Sequence, residues 1–405
     1  MSSLIHTSPN AMPDISLKYG CNPNQPHAKI TTPGTGATQD GPLTVVNGAP
    51  SYINALDGLR AWQLVRDLKA ATGKAAAASF KHVSPAGAAV AGDLSADFRR
   101  AFLYAEGDYS PIATAYARAR SSDRVASFGD FIAVSEPVDE TLARLIKPEV
   151  SDGIIAPSYE PAAFDLLRSK KGGKYVMLAM DTDYAPPAIE SRTEFGLTLE
   201  QTHNNLAITA DTFVNRVTSQ TDLSADVLES LLVATVTLKH TQSNSIAVAY
   251  AGQAVGIGAG QQSRIACTRI ACDKADRFLL KTHPKALAIQ FVDGQARAEK
   301  VNALDNFVRF HELNDGEKSE LEKALVPGWI AITDLERAEW LASRQGVVLS
   351  SDAFIPFRDN LDRAAVSGVY AIAQAGGSAR DQGVTDAANQ HNMVMCHTGV
   401  RLFLH

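Results

Sequence analysis

Two kinds of hydrophobic pattern alternate along the chain. Residues 75–80 form a mostly apolar run typical of a buried strand, and they follow residues 55–68, where apolar side chains recur at helical spacing. The same alternation predicts strands at 131–134, 153–156 and 175–180, with helices at 139–146 and 161–170. Alternation of this kind is typical of α/β layers.

A second α/β block follows a weaker stretch. Residues 185–221 are polar and rich in turn formers, and Ser224 is a candidate N-cap for the apolar helical stripe that begins at Val227. Strands are then predicted at 246–250, 254–257, 347–349, 369–373 and 393–395, with helices at 262–272, 335–344 and 360–365. We predict a loose arm (1–16), a first subdomain (17–184), a connecting helical segment (185–235) and a second subdomain (236–405).

Composition narrows the class of protein. Of 405 residues, 45% are hydrophobic and 20% charged, which is an ordinary globular balance, and the net charge of −6 gives no support for nucleic-acid or anionic-membrane binding. No apolar run reaches the roughly 18 residues needed to span a bilayer, and the first sixteen residues do not resemble a secretion signal. The cysteines, which form no C-x-x-C pair, are predicted to be reduced thiols in a cytosolic protein without structural zinc: Cys21, Cys267, Cys272 and Cys396.

The first candidate for chemistry is Lys81-His82, placed where a predicted strand ends. A lysine can stabilise a developing oxyanion, and a histidine can accept a proton near neutral pH. Adjacent strand residues point to opposite faces, so both reach one site only if the strand breaks there, and the Pro and Gly that follow favour a break. A surface Lys-His pair at a turn is the alternative.

Two further segments lie near the start of the second block. Residues 256–264 form a glycine-rich turn ending in Arg264, which could bind a phosphate or could simply pack a strand tightly against a helix. Residues 241–245 are five small polar residues that could offer oxygens to a polar ligand or a cation, although such runs are more often caps or turns.

The last two candidates lie near the end of the chain. In residues 350–360, two phenylalanines could wall a flat heteroaromatic ring, and Asp359 and Asn360 could bond a pterin or could cap a helix. The terminal run 397–405 is apolar and basic, so it is either docked with Arg401 on a phosphate or packed for stability alone.

Together these segments resemble a known family. The chain is similar to the transformylase portion of the bifunctional purine enzyme that combines aminoimidazole carboxamide ribonucleotide (AICAR) formyltransferase with inosinate cyclohydrolase. The matching stretches, in the expected order, are 17–25, 79–90, 127–130, 151–157, 239–245, 256–264, 273–275, 350–360 and 397–405. The cyclohydrolase half is absent from this sequence, which suggests a stand-alone transformylase.

The resemblance implies an α/β fold of tandem cytidine-deaminase-like three-layer subdomains with mixed sheets and no deaminase zinc, and a homodimer with active sites at its interface. It implies Lys81 and His82 as catalytic residues. The implied acceptor site is Lys18, Tyr19, Gly129, Asp152, Asn244, Arg264, Phe354 and Arg401. The implied site for 10-formyl-tetrahydrofolate is Ile265, Phe357, Asp359, Asn360, Ser378 and Ala379. The implied potassium ligands are Thr241, Ser243, Ser245, Asp352 and Leu402.

In the implied mechanism, His82 is the general base and Lys81 stabilises the oxyanion. Asn244 holds the carboxamide, Asp152 a ribose hydroxyl, and Phe354 stacks on the imidazole. The phosphate is surrounded by Lys18, Arg264 and Arg401.

Two departures from the family pattern bear on the acceptor, and a third lies beside the terminal His405. Lys18 stands where the family has arginine, Asn24 where it has histidine, and Leu404 where a histidine is common. Lysine keeps the charge but loses the two-pronged contact with phosphate. Two alternatives stay open: the same folate chemistry on a different amino-heterocycle phosphate, or a non-catalytic protein that binds a purine intermediate.

Overall fold

The computed structural model describes residues 14–31 and 41–405. Most of the predicted arm at 1–16 lies outside these residues, although Ile15–Ser16 forms a short strand. The strands are β1 Ile15–Ser16, β2 Lys29–Ile30, β3 Leu43–Asn47, β4 Ala76–Lys81, β5 Ser84–Val90, β6 Asp130–Val134, β7 Ser151–Ala156, β8 Val176–Met180, β9 Ile189–Glu194, β10 Leu197–Thr202, β11 Ile246–Tyr250, β12 Gln253–Gly258, β13 Val347–Ser351, β14 Val369–Gln374 and β15 Val394–His397.

The helices fall between these strands. They are α1 Tyr52–Thr72, α2 Ala96–Phe102, α3 Pro111–Ser122, α4 Glu140–Ile146, α5 Pro161–Arg168, α6 Ala225–Lys239, α7 Arg264–Leu280, α8 Pro284–Ala288, α9 Arg297–Val308, α10 Asp315–Ala324, α11 Asp334–Ala342, α12 Asp359–Val366 and α13 Asp381–Gln390. Ser224 caps α6 by accepting a hydrogen bond from the Val227 N–H, as predicted.

Eleven strands of the described residues form one mixed sheet, in the order β15-β14-β13-β11-β12-β5-β4-β6-β7-β8-β3. The sheet contains the same arrangement twice. In each half a hairpin (β4–β5, β11–β12) pairs antiparallel with a third strand (β6, β13), and two further strands follow in parallel (β7–β8, β14–β15). The repeated pairing supports an internal duplication.

Helices cover both faces of the sheet, so the fold is a mixed α/β structure with three layers, as expected. On one face α1 and α6 pack side by side over both halves and share a single core with residues such as Leu64, Val65 and Leu231. On the other face α3, α4 and α5 cover the first half, while α7 and the helices after it cover the second. The halves also meet at β5 and β12, which pair antiparallel.

Strand directions bring the candidate residues to one edge of the sheet. Because β4 runs antiparallel to β6 and β7, the end of β4 lies beside the starts of those two strands. Because β12 runs antiparallel to β5, the end of β12 lies at that same edge, together with the start of β11 and the ends of β13, β14 and β15. We refer to this edge as the site edge.

The predicted connection at 185–235 is not entirely helical. A two-stranded antiparallel hairpin, β9–β10, occupies most of its first half, and α6 begins only at Ala225. The signal is present in the sequence, because Ile189, Thr193 and Thr198 favour strands and Gly196 follows Phe195 in a turn where both have positive φ. The boundaries proposed at 184 and 235 stay predictions.

The remaining global features concern metals, membranes and thiols. Among the residues that the structure describes, no group of three or more His, Cys, Asp or Glu side chains could hold a metal ion. In the same residues no helix is long and apolar enough to cross a membrane. Cys267, Cys272 and Cys396 are buried free thiols, and burial raises the pKa of Cys267 and Cys272 to about 12.

Candidate active site

Lys81 and His82 lie at the point where β4 turns into β5. Lys81 pairs with Ser84, and the two residues between them, His82 and Val83, have positive φ angles of 55° and 59°. The strand therefore breaks at this point, and the two side chains are not forced to opposite faces. The break is made by the two-residue turn itself. The Pro and Gly that were expected to cause it lie inside β5, so that part of the prediction is wrong.

The neighbours of Lys81 come from the starts of β6 and β7. The Lys81 ammonium donates to the Phe128 carbonyl at 2.7 Å, next to Gly129, whose own N–H bonds the Val150 carbonyl at 2.9 Å. Asp152 is half-buried one strand further along. The structure therefore brings Lys81, His82, Gly129 and Asp152 to neighbouring strands of the site edge. We call these four residues the catalytic cluster.

A buried acid lies beneath this cluster. Asp57, on α1, is 5% exposed, and its Oδ1 accepts a hydrogen bond from the Val83 N–H at 2.6 Å. Burial raises the pKa of the Asp57 carboxyl, against the opposing effects of that hydrogen bond and of His82. No sequence motif marks Asp57, which was not among the predicted site residues. The available signal was an acidic residue inside the apolar helical pattern at 55–68.

Asp352 is the centre of a second group of candidate residues. Its Oδ2 accepts hydrogen bonds from the Ser243 hydroxyl at 2.6 Å and from the Ser245 hydroxyl and N–H, each at 2.9 Å. Its Oδ1 accepts from Arg264, and its backbone carbonyl accepts from the Leu402 N–H at 2.8 Å. The carboxylate is fully buried, so one acid ties together the polar run at 241–245, the start of α7 and the C-terminal tail. We call this group the Asp352 hub.

Arg264 belongs to this hub. Its side chain is 7% exposed and forms an ion pair with Asp352, while it also donates to the Ser245 carbonyl and to the Asn244 Oδ1, each at 3.0 Å. Arg264 therefore contacts Asn244, the residue expected to hold the carboxamide. Most of its hydrogen-bonding capacity is used inside the protein, whereas Arg401 is exposed.

The glycine-rich turn owes its composition mainly to packing. A Cβ atom on Gly256 or Gly258 would collide with the backbone carbonyl of Ala271 or Cys267 on α7. These glycines therefore allow β12 and α7 to approach closely, which is the second of the two interpretations left open for this motif. That close approach places Arg264, at the start of α7, over the Asp352 carboxylate.

Two exposed aromatic rings follow Asp352 in the chain, beyond the end of β13. Phe354 and Phe357 are 45% and 53% exposed, which is unusual for phenylalanine. The Arg380 guanidinium lies 5.2 Å from the centre of the Phe357 ring, so the loop carrying Ser378 and Ala379 lies beside that ring. Two flat surfaces of this kind suit a heteroaromatic ligand.

Asp359 and Asn360 play different structural parts. Asp359 is exposed and lies in the first turn of α12. Asn360 is 2% exposed, accepts from the Thr268 hydroxyl at 2.7 Å and donates to Asp359 and to the Phe357 carbonyl. The alternative that one of them is the N-cap is wrong, because Arg358 occupies that position.

Other expected site residues lie further from these contacts. Lys18 and Tyr19 follow β1, with the Lys18 ammonium 5.7 Å from the centre of the Tyr19 ring. Within residues 14–31 and 41–405, no hydrogen bond or ion pair joins either of them to the catalytic cluster or the hub. Thr241 is buried at the end of α6, and its hydroxyl bonds the Thr237 carbonyl at 2.7 Å. Ile265 follows Arg264 in α7 and is half-buried.

The catalytic cluster and the Asp352 hub share an edge but are separate within one chain. Strands β5 and β12 lie between β4, which carries Lys81, and β11, which begins beside Asn244. Three strand spacings of roughly 4.8 Å correspond to about 14 Å. A substrate held by Asn244 would therefore reach His82 of the same chain only if it spanned that distance. A shorter substrate would need His82 of a second chain.

Comparison with known proteins shows which family the chain belongs to. Residues 6–274 match the family described as the AICARFT/IMPCHase bienzyme. The chain is 31% identical over 399 residues to the bifunctional purine biosynthesis protein PurH of Synechococcus elongatus, covering 98% of this chain and 60% of that protein. The chain belongs to the AICARFT/IMPCHase bienzyme family. It is also 27% identical over 390 residues to PurH of Trichormus variabilis, covering 96% of this chain and 59% of the relative.

The similarity to these two relatives extends over nearly the whole chain, because both alignments exceed 95% of its length. The chain spans about 60% of the length of these curated relatives. Every residue of the catalytic cluster lies within the matched range 6–274, as do Asn244 and Arg264. The resemblance inferred from sequence motifs is thus confirmed at the level of the family.

Proposed function

We propose that this protein transfers a formyl group from 10-formyl-tetrahydrofolate to the 5-amino group of AICAR, giving formyl-AICAR and tetrahydrofolate in purine biosynthesis. One observation carries the proposal: in a member of the bienzyme family, the site edge gathers a Lys-His pair, a buried polar hub and exposed aromatic rings. The pair suits acyl transfer, the hub suits a carboxamide, and the rings suit two flat heterocycles.

His82 is the general base of the proposed reaction. The acceptor amine is conjugated to an electron-poor imidazole, so its lone pair is a weak nucleophile. As the amine nitrogen bonds the formyl carbon, His82 accepts the amine proton. The carbon–nitrogen bond to the folate then breaks, and the folate nitrogen takes up the proton that His82 had accepted. General-base catalysis contributes roughly 10²–10⁴-fold to such a step.

Lys81 is the electrostatic partner of that step. The formyl oxygen gains negative charge in the tetrahedral intermediate, and the ammonium stabilises it. The Phe128 carbonyl, 2.7 Å away, fixes the lysine without neutralising its charge. The loss of one oxyanion donor typically costs about 10²–10³-fold in turnover.

The acceptor and the folate are assigned to the remaining residues. Asn244, oriented by Arg264, holds the carboxamide, Phe354 stacks on the imidazole, and Asp152 bonds a ribose hydroxyl. The exposed Arg401 binds the phosphate, with Lys18 as its second cation. For the folate, Phe357 and Ile265 contact the pterin, Asp359 bonds its donor-rich edge, and Asn360 holds Asp359 in place, with Ser378 and Ala379 alongside.

A potassium ion would fit the Asp352 hub. Four of the residues that would hold it, Ser243, Ser245, Asp352 and Leu402, bond one another in the hub and offer hydroxyl and carbonyl oxygens and one carboxylate. The fifth, Thr241, lies just before them in the chain, and its hydroxyl bonds Thr237. Arg264 already balances the charge of that carboxylate, so the remaining donors are neutral oxygens of the type that potassium prefers. The ion would brace the hub and take no direct part in bond making.

Initial rates with a panel of acceptors test the acceptor's identity. With 10-formyl-tetrahydrofolate as donor, the proposal expects AICAR to give the highest kcat/KM among phosphorylated amino-heterocycles. A higher value for another amine would favour the second candidate function, which is folate-dependent formylation of a different amino-heterocycle phosphate. The departures from the family pattern at Lys18 and Asn24 are the observation that favours this alternative. Binding of AICAR with no turnover for any acceptor would instead favour a non-catalytic binding protein.

Lys18→Arg tests whether Lys18 contacts the acceptor phosphate. Arginine would restore a two-pronged contact, so the Michaelis constant for AICAR should fall. The gain in binding free energy should be on the order of 1.5 kcal/mol, as for one charged hydrogen bond. Turnover should barely change, because phosphate binding is equal in the ground and transition states. Steady-state kinetics measure both, and Lys29→Arg, on β2, is the control. Loss of activity in Lys18→Arg would mean that the pocket is shaped around lysine.

The separation of about 14 Å along the site edge supports a homodimer in which the hub of one chain faces the catalytic cluster of the other. We expect a dimer in analytical ultracentrifugation, with an interface well above about 1,200 Å². Mixing His82→Ala with Asn244→Ala chains should restore part of the activity, because one of the two sites in a mixed dimer is then intact. A monomer that is fully active on dilution would contradict this arrangement.

A further inference from the structure

The turn that carries His82 has an unusual composition. Two-residue hairpin turns with positive φ at both positions strongly favour asparagine and glycine. Here the two positions hold His82 and Val83, with φ angles of 55° and 59°. A β-branched residue is a genuine outlier in this conformation, and such conformations persist only where the surroundings impose them.

Asp57 supplies the constraint. Its carboxylate lies directly beneath the turn, where it accepts a hydrogen bond of 2.6 Å from the Val83 N–H. Helix α1 comes close enough for this because residue 58 is glycine: a Cβ there would lie 2.9 Å from Cε1 of Phe131, on β6. Gly58 thus lets the helix approach the sheet, and Asp57 reaches the turn.

Burying this acid has a cost for the fold. Desolvation raises the pKa of Asp57, and the carboxylates of Asp152 and Asp130 raise it further, while the Val83 N–H and His82 oppose them. A carboxyl whose pKa is higher in the folded state destabilises the fold once it is ionised, so the cost is present at neutral pH. A buried charge that costs stability beside a catalytic cluster is expected where it serves activity.

We propose that Asp57 is the positioning residue of this site: its carboxylate holds the His82–Val83 turn in the left-handed conformation and so fixes Lys81 and His82 relative to one another. The kinetic consequence rests on the proposed function, whereas the effect on the turn does not. Asp57 itself touches neither substrate.

Two substitutions separate its charge from its hydrogen bond. Asp57→Asn keeps an acceptor oxygen and removes the charge, while Asp57→Ala removes both. In Asp57→Ala, kcat should fall by about 10- to 100-fold, the scale expected for misplacing reacting groups by about 1 Å. Both Michaelis constants should stay within about twofold, because the substrate contacts remain. The melting temperature of Asp57→Asn should equal or exceed that of the wild type.

Asp67→Asn is the matched control on the same helix. Asp67 bonds Lys239 and His240, and although burial opposes ionisation, these partners lower its pKa to about 2. Its ionised form therefore stabilises the fold at neutral pH. This control should lower the melting temperature and leave kcat unchanged, the opposite of Asp57→Asn. Equal losses of stability in the two variants would mean that Asp57 stabilises the fold as Asp67 does, and would contradict its role as a positioning residue.

A rescue and a spectroscopic measurement complete the test. Val83→Gly, made in Asp57→Ala, should recover several-fold in kcat, because glycine adopts the left-handed conformation without strain. In protein labelled with ¹⁵N-valine, the Val83 amide should be protected from hydrogen exchange in the wild type and exposed in Asp57→Ala. A protected amide in Asp57→Ala would overturn the proposal, even if the wild type showed no formyl transfer. Wild-type inactivity with the expected amide result would contradict only the proposed function.

Discussion

Replacing His82 with asparagine is expected to lower the turnover of formyl transfer by about 10²–10⁴-fold, the contribution of a general base. Asparagine is the informative substitution because it tolerates the left-handed conformation that His82 adopts (φ 55°) and does not titrate. The turn should therefore survive while the base is lost. AICAR affinity, measured by calorimetry, should change far less, since the role of His82 lies in the transition state.

The control for this experiment is His311→Asn. His311 lies in the helical region between β12 and β13 and belongs to neither the catalytic cluster nor the Asp352 hub. His82→Ala should give the same loss as His82→Asn, because both lack a proton acceptor. Turnover above about a tenth of the wild-type value in both His82 variants would be inconsistent with a general base, whose minimum contribution is roughly 10²-fold.

Asp352→Asn is expected to lower the free energy of unfolding by about 3–5 kcal/mol, because it leaves the buried Arg264 charge without its partner. Both side chains are nearly inaccessible to water, at 0% and 7% exposure, so solvent cannot replace the lost charge. The same change weakens the bonds that hold Ser243 and Ser245. AICAR affinity should fall with stability, because Asn244 lies between those two serines.

Urea denaturation measures the effect on stability, with Asp359→Asn as the matched control. Asp359 lies seven residues further along but is exposed, so its substitution should change stability by less than about 0.5 kcal/mol. A second test combines Asp352→Asn with Arg264→Met, which removes both charges and should recover part of the loss. Wild-type stability in Asp352→Asn would contradict the assignment of Asp352 as the centre of the hub.

The parts of the fold that follow from hydrophobic pattern were predictable. Strand β8 and helix α6 have uninterrupted apolar signals, and both lie where the sequence placed them. Strand β5 was missed because its sequence, SPAGAAV, consists of small residues and shows no alternation. Helix α3 was missed because it buries Arg118 and Arg120, and arginine in a sequence pattern indicates an exposed face.

Some residues of the candidate site were predictable from the sequence, and others were not. Lys81, His82 and Asn244 stand in short motifs, so similarity to a family could assign them. Asp57 belongs to no recognisable motif, and its position beneath the turn depends on the packing of α1 against β6. Likewise, only the strand directions show that Asn244 and His82 lie on the same edge with two strands between them. Sequence pattern does not encode such distances, because they follow from the order of strands in the sheet.

Transfer of the formyl carbon itself tests the central claim most directly. The protein is incubated with AICAR and 10-formyl-tetrahydrofolate labelled with ¹³C in the formyl group, and the carbon is followed by NMR. The account predicts that the ¹³C signal leaves the folate and appears as an N-formyl group on AICAR, at a rate proportional to protein concentration and abolished by His82→Asn. Label that stays on the folate, or that is released as formate without reaching AICAR, would contradict it.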